Sequence, residues 1–467
     1  MQLPFVYKIF LGRRGRVPWP RTRGEGTHAE TNLSAELQQL ITLVVFAVTY
    51  GAIVLRNLKG FTLPIWAILL AGAVAMVFVG SIGVVDAYRA VNLPVITFLF
   101  SMFTLVTGLD ISGALESFAK ALLRRAKKPG DVIYLTFFGF AFGSAFLMND
   151  TLALMGTPIM LTLSRRLNIS PRPLLLTLAF AVTTGSVVTP MGNPQNLLIA
   201  LASGITAPVI GFASYLLLPT LLNLGATYLL LRVLFKKEFH KPGGKFENVA
   251  LLEEGGRRAT DRRLARLSVS LVVFTLALIL AVNILEAFGI KQPFGISEVS
   301  LLGAALLLLL SGRGREILRA MDWGILLLFA GLFVLMQSLS NNGIIASVAQ
   351  YLPALGRGDP HASLFSILVS GLLLSQVLSN VPMVALYLPI MKSLSYGPQD
   401  VYAWAALAGG STLAGNVTIL GAASNLIIIE EAERGGVKLS FIDFLKVGVL
   451  VTAVNFAVLY ASLYFGV

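Results

Sequence analysis

Residues 145–160, AFLMNDTLALMGTPIM, and residues 183–200, TTGSVVTPMGNPQNLLIA, interrupt an otherwise apolar chain with amides, hydroxyls, glycines, prolines and one carboxylate. Hydrocarbon does not tolerate unpaired polar backbone unless that backbone lines a protein-enclosed cavity. A polar island in such a chain therefore marks a site.

The island occurs twice. Laying Met148–Ser164 over Ser379–Ser395, an offset of 231, matches Asn149 with Asn380, the Pro-Ile-Met of 158–160 with that of 389–391, and Leu163-Ser164 with Leu394-Ser395. At an offset of 229, Thr183, Thr189, Gly192, Asn196, Leu197 and Ile199 fall on Thr412, Thr418, Gly421, Asn425, Leu426 and Ile428. Two polar blocks repeated in one order about half a chain later indicate an internal duplication of the kind that builds secondary transporters.

The composition sets the class. With 56% hydrophobic residues, 13% charged and a mean hydropathy of +0.80, the chain is too apolar for an ordinary soluble domain. Uncharged runs such as 61–85, 173–231 and 447–467 exceed the roughly 20 residues that cross a bilayer core as helix, whereas an outer-membrane barrel would show short alternating segments. The net charge of +13 sits in short loops, where Arg and Lys set orientation, and no groove-reading motif points to nucleic acid. With no cysteine there is no disulfide and no thiolate chemistry.

The expected fold is therefore an all-α polytopic membrane protein built from two inverted repeats, with about ten transmembrane helices, two re-entrant helical hairpins and two broken helices. Residues 1–34 read as a basic, mostly disordered N-terminal tail with Lys8, Arg13, Arg14, Arg16, Arg21 and Arg23. The first repeat covers 35–235, with spans near 37–55, 61–84, 92–113 and 208–235, a basic amphipathic stretch at 114–130, a hairpin at 131–164 and a broken helix at 171–203. A cytoplasmic linker occupies 236–264. The second repeat, 265–467, has spans near 265–290, 297–312, 322–340 and 441–466, an amphipathic stretch at 343–356, a hairpin at 362–395 and a broken helix at 400–432.

Two arguments give the unusual elements their form. From Thr151 to Ser164 the returning arm of the first hairpin covers only about 21 Å at 1.5 Å per residue, short of the roughly 30 Å core, so it is expected to turn back rather than cross. Pro190, Gly192 and Pro194 cannot sustain regular helix, which breaks the next element at middle depth. Lys120, Arg124, Arg125, Lys127, Lys128, Arg165, Arg166 and Arg172 surround the first hairpin and only Arg357 and Lys392 the second, so the positive-inside rule places the hairpins on opposite faces.

Where tips and breaks meet, half-helix N-termini offer N–H groups to an anion, while unwound carbonyls and side-chain oxygens suit a small dehydrated cation. The candidate residues are Asn149, Asp150, Thr151, Thr189, Gly192, Asn193, Gln195 and Asn196, with Ser379, Asn380, Thr418, Gly421, Ser424 and Asn425 in the second repeat. Sodium, as a coupling ion, is assigned to Asn149, Asp150 and Asn193. Asp150 breaks the symmetry, since its counterpart is Val381. A carboxylate at that depth costs several kcal/mol unless a proton or a cation neutralises it, and either partner implies coupling.

At FLMNDTLALMGTP, TPMGNPQNLLIA, LSNVPMVALYLPIM and the Gly415–Ile427 segment, the chain resembles the ion transporter superfamily, which holds citrate-transporter-like permeases, arsenite efflux pumps, divalent anion/sodium symporters and certain sodium/proton antiporters. The resemblance covers nearly everything after residue 60. It implies secondary active transport of a small anion, an inorganic oxyanion or carboxylate, driven by a proton or sodium gradient. It also implies hairpins and broken helices that move as an elevator against a dimerising scaffold, in the cytoplasmic membrane of a bacterium or archaeon. In the symporters of that family the paired Ser-Asn-Thr tips bind sodium and the substrate carboxylate. Here the tips read Asn149-Asp150-Thr151 and Ser379-Asn380-Val381, so neither triplet is complete, and an Asn-Asp tip is more similar to the efflux and antiport branches. Arsenite efflux and sodium/proton exchange thus stand as the alternative function.

Other classes lack their signatures. A channel needs a continuous pore of modest-affinity sites, and two dead-end hairpins argue against one. The sequence has no G-x-S-x-G, no H-E-x-x-H and no G-x-x-x-x-G-K-[ST] loop, so neither a membrane enzyme nor an ATP-driven engine is expected. No organic cofactor is expected.

Overall fold

In hydrocarbon a backbone must satisfy its own N–H and C=O groups, and helix does so locally. The computed structural model describes residues 28–55, 63–123, 129–239, 261–350 and 359–466, which are helical throughout apart from their connections. The first set of elements is α1 (His28–Leu55), α2 (Ile65–Phe78), α3 (Val84–Ala90), α4 (Leu93–Ile111), α5 (Ala114–Leu123), α6 (Pro129–Leu147), α7 (Asn149–Leu167), α8 (Pro171–Gly185), α9 (Pro194–Ser203) and α10 (Pro208–Leu234). After the short α11 (Lys236–Phe239), the same order returns as α12 (Arg262–Ala287), α13 (Ile296–Leu310), α14 (Gly314–Ala320), α15 (Trp323–Asn341), α16 (Ile344–Gln350), α17 (Pro360–Leu378), α18 (Asn380–Ser393), α19 (Val401–Ala414), α20 (Ala423–Arg434) and α21 (Phe441–Tyr464). Short polar side chains start several of them: Asn92, Asp261, Asp322 and Asp359 each accept from a backbone N–H of the first turn, supplying partners to donors that a helix leaves orphaned.

Several boundaries differ from expectation. Helix α1 starts at His28, inside the segment read as tail. Helix α2 stops at Phe78 because Gly80 takes a left-handed φ of 74° and turns the chain into α3. The returning arm α7 runs on to Leu167, where Asn168 at φ 50° ends it, making it about 28 Å long; its shortness is therefore no argument for a hairpin. Residues 124–128 and 351–358, which complete the two amphipathic stretches, lie outside the described residues, as do 1–27 and most of the linker. Nine described helices are long and apolar enough to cross a bilayer. They include α6 and α17, expected as hairpin arms, and omit α2 and α13, which are shorter.

The packing is reciprocal between the two sets. Helix α2 lies on α15 as α13 lies on α4; α6 lies on α8 as α17 lies on α19; α7 lies on α20 as α18 lies on α9. Each broken helix thus begins beside its own hairpin and ends beside the other one. The hydrophobic interior divides accordingly, one cluster joining α2, α4, α12, α13 and α15 to α9, α18 and α19, the other joining α6, α7 and α8 to α20 and α21. Large apolar side chains on the outside of α1, α10, α12 and α21 remain exposed, as suits a surface that faces lipid.

Helices α10 and α21 pack against each other across the duplication, where Thr227 Oγ1 donates to Asn455 Oδ1 at 3.0 Å. Gly448 of α21 sits on the backbone of the second break: a Cβ there would lie 2.2 Å from the Asn416 carbonyl oxygen and 2.7 Å from that of Val417. Carbonyls cannot retreat as a side chain can, so Gly448→Ala is expected to destabilise by about 1–3 kcal/mol through overpacking. Gly225→Ala on α10, where the added methyl meets nothing within 4 Å, serves as control; equal melting temperatures of the two variants in detergent would contradict this packing.

Candidate functional site

Each hairpin turns on one residue. Met148, between α6 and α7, has φ 61° and ψ 124°, and Ser379, between α17 and α18, has φ 66° and ψ 162°. These are positions a side chain rarely occupies, costing of order 1–3 kcal/mol each, and they match at the 231-residue offset. The sharp turn places the first N–H groups of α7 and α18 at the tips. Asn149 N donates to the Gly192 carbonyl at 2.9 Å, so the first tip lies at the level of the break between α8 and α9.

Both breaks are held by an asparagine amide. After α8 the chain makes one 3-10 turn, Ser186–Val188, and extends through Thr189 before Asn193 caps α9 by accepting from Asn196 N at 2.9 Å. Asn196 Nδ2 faces the carbonyls of Ser186, Val187 and Thr189 at 3.2, 3.1 and 3.2 Å. In the second break Asn425 Nδ2 donates to the carbonyls of Gly415 and Thr418 at 2.6 and 3.2 Å. The threonines behave alike: Thr189 Oγ1 donates to the Ala145 carbonyl of the first hairpin and Thr418 Oγ1 to Gln376 Oε1 of the second. Unwound carbonyls in a bilayer need such partners.

The two repeats are joined at this level. Thr412 Oγ1 accepts from Asn193 Nδ2 at 3.2 Å and Gln195 Nε2 at 3.4 Å, and donates to Asn196 Oδ1 at 3.1 Å. Asn416 Nδ2 donates to Thr184 Oγ1 at 3.3 Å, and Asn149 Nδ2 reaches Ser424 Oγ at 3.5 Å. Asn380 stands beside Gly415, 3.1 Å from where a Cβ would be. The N-termini of α7, α9, α18 and α20 thereby belong to one connected patch.

Asn149 Oδ1, Asp150 Oδ1, Asn380 Oδ1, Asn416 Oδ1 and Asn425 Oδ1 are buried and have no hydrogen-bond partner among the described residues, and the Thr183 and Ser375 hydroxyls beside them are likewise unpaired. The five amide and carboxylate oxygens are acceptors, and a buried acceptor without a donor costs about 1–3 kcal/mol, so their natural complement is a cation. Among the described residues Asp150 and Asp400 are the buried carboxylates, no Lys, Arg or His side chain is buried, and no three acidic, His or Cys residues cluster around a metal-sized site. Asp400 is occupied at the start of α19, accepting from Gly397 N at 2.7 Å. Asp150, in the first turn of α7, keeps a free oxygen.

Of the candidates named from sequence, Asn149, Asp150, Thr189, Asn193, Gln195, Asn196, Asn380, Ser424 and Asn425 are buried, whereas Thr151, Ser379 and Thr418 are half-buried. Gly192 and Gly421 contribute close-packed backbone: a Cβ on Gly192 would lie 2.2 Å from the Ser186 carbonyl. Asn193, which the sequence grouped with Asn149 and Asp150, caps α9 with its oxygen while Ser186 and Thr412 take up its amide; the oxygens of Asn149 and Asp150 have no partner among the described residues. Thr412, Ser186, Thr184, Asn416 and Gln376 were not among the candidates. Thr412 had a signal, since it aligns with Thr183; Gln376 aligns with Ala145 and had none.

The sequence pattern of the citrate transporter family matches residues 41–409. An uncharacterized transporter of Mycobacterium tuberculosis is 31% identical over 400 residues, covering 83% of this chain and 90% of its own. The silicon efflux transporter LSI3 of Oryza sativa subsp. japonica is 27% identical over 416 residues, covering 78% and 84%. Among solved structures, the YdaH transporter of Alcanivorax borkumensis superposes with a TM-score of 0.57 over 92% of this chain and 97% of that one, at 15% identity, a likeness of fold. With a family match over most of its length, the all-helical duplicated architecture and a buried polar patch between the repeats, this chain belongs to the citrate transporter family of membrane transporters, within the ion transporter superfamily.

Proposed function

We propose that the protein is a secondary active transporter of a small anion, an inorganic oxyanion or a carboxylate, coupled to a proton or sodium gradient. The observation that carries this reading is the pairing of unpartnered buried oxygens at both hairpin tips with the N-termini of two hairpin arms, α7 and α18, and two half-helices, α9 and α20. The oxygens suit a coupling cation and the N-termini a solute anion. Asn149 and Asp150 are the assigned cation ligands of the first repeat, Asn380 and Asn425 those of the second. Among the described residues no cationic side chain is buried, so N–H and hydroxyl groups hold the solute, which favours one of low charge.

The repeats are read as inverted, with the positive-inside distribution as support, and alternating access as movement of the two hairpins and broken helices together. A second reading, proton-coupled efflux of a small hydroxylated weak acid, is favoured by the asymmetric Asp150 and by the similarity to the rice silicon efflux transporter. Uptake into reconstituted vesicles of a panel containing citrate, succinate, sulfate, phosphate, arsenite and silicate, under imposed proton or sodium gradients, tests both. Gradient-driven accumulation of an anion supports the first and export of arsenite or silicate the second. Stepwise single-channel conductance, or no gradient dependence for any solute, rejects coupled transport.

A further inference from the structure

Away from the transport patch, α13 runs into α14 through Ser311-Gly312-Arg313-Gly314-Arg315. Gly312 has φ 68°, and a Cβ on Gly314 would lie 2.9 Å from the Leu308 carbonyl, so the two glycines let α14 fold tightly over the end of α13 without strain. The turn encloses an open cleft of about 800 Å³ lined by Leu308, Arg313, Glu316, Arg315 and Arg319. Arg313 is fixed, with Glu316 at 2.6 Å and Asp261 Oδ2 at 3.3 Å. Asp261 caps α12 at the same end, and the Leu264 N–H, with lesser help from Arg263 N–H and the Arg313 guanidinium, holds its carboxyl below the usual carboxylate range. Arg315 and Arg319, one helical turn apart, are exposed and form no ion pair among the described residues. Arg262, Arg263 and Arg266 are exposed on the adjoining first turns of α12.

The surroundings are those of a bilayer boundary. Leu309 and Leu310, just before the turn, are 78% and 53% exposed. Trp323, just after it, is half-exposed and donates its indole N–H to the Leu318 carbonyl at 2.8 Å, and Trp66 stands against Gly324 beside it. Apolar surface, tryptophan and arginine brought side by side mark the passage from hydrocarbon to headgroup. The fold itself provides a comparison: α3, the counterpart of α14, exposes Val84, Val85 and Tyr88, and its single arginine, Arg89, lies 4.0 Å from Asp86. The arginines are therefore not needed to build this turn.

We propose that the α13–α14 turn binds the headgroup of an anionic phospholipid, its phosphate between Arg315 and Arg319 and its acyl chains along Leu309 and Leu310. Guanidinium forks match phosphate oxygens two at a time, and the buttressed Arg313 keeps the cleft open and prevents its own carboxylates from filling it. The full chain in neutral detergent is titrated with phosphatidylglycerol or phosphatidylcholine, and bound lipid is read by native mass spectrometry together with the melting temperature. Phosphatidylglycerol is expected to bind and raise the melting temperature while phosphatidylcholine does not. The R315Q/R319Q variant is expected to weaken that binding roughly tenfold or more, with Arg89→Gln indistinguishable from wild type. Should the double variant not accumulate, R319Q alone is read in the same way. Equal phosphatidylglycerol binding by wild type and variant overturns the proposal. So does displacement of the lipid by inorganic phosphate at comparable concentration, which would make the cleft a site for soluble anions.

Discussion

Asp150→Asn is expected to abolish the dependence of transport on the driving ion while leaving the protein folded. Asn has nearly the same shape, and among the described residues Asp150 Oδ1 has no hydrogen-bond partner to lose. What the substitution removes is the charge, and with it the one buried carboxylate of the patch among the described residues. A charged hydrogen bond or ligand contact is worth about 1.5–3 kcal/mol, so affinity for a bound cation should fall about tenfold to a hundredfold. If the coupling ion is a proton, the variant no longer responds to an imposed pH gradient; if it is sodium, the sodium dependence flattens. The measurement is vesicle flux of the solute identified in the panel, with and without each gradient, alongside a binding measurement at equilibrium. Retained solute binding with lost coupling fits the assignment. Coupled flux equal to that of wild type removes Asp150 from the mechanism.

Asn196→Ala is expected to produce the largest loss of stability of any single substitution in the patch. One side-chain amide there faces three carbonyls of the first break, at 3.1–3.2 Å, and its oxygen accepts from Thr412. Alanine removes two N–H donors shared among those carbonyls and the acceptor of Thr412, and at about 1–3 kcal/mol for each unsatisfied group the sum reaches the exceptional range above about 4 kcal/mol. Asn425→Ala removes two donors but no engaged acceptor, since Asn425 Oδ1 has no partner among the described residues, and should melt at a higher temperature than Asn196→Ala. Asn196→Asp separates the causes, because it keeps the volume and removes the donors. If Asn196→Asp melts like wild type in detergent, the amide is not what holds the break.

Much of this was legible in the residues because the bilayer makes it so. Pro190 and Pro194 remove donors from a helix that has no water to replace them, and so the first break is written locally. The second break contains no proline and was found only by laying Thr418, Gly421 and Asn425 over their counterparts. The tips were found by composition, but not their geometry: Met148 and Ser379 share a strained backbone although one is apolar and the other polar. Helix α7 passed its expected end because Arg165 and Arg166 are good helix formers and nothing stops the chain before Asn168.

The sequence by itself determined that this is a helical membrane protein, duplicated, with polar breaks and tips in both halves, because each of those features follows from the cost of putting polar backbone or charge into hydrocarbon and is paid residue by residue. Only the tertiary structure decided that α9 ends among α18 and α19 and α20 among α7 and α8, that Thr412 ties three side chains of the other repeat together, and that Asn193 is a cap whereas Asn149 and Asp150 keep free oxygens. Those outcomes depend on which helix lies beside which, and hydrogen bonds between residues more than 200 positions apart leave no spacing in the chain from which to read them.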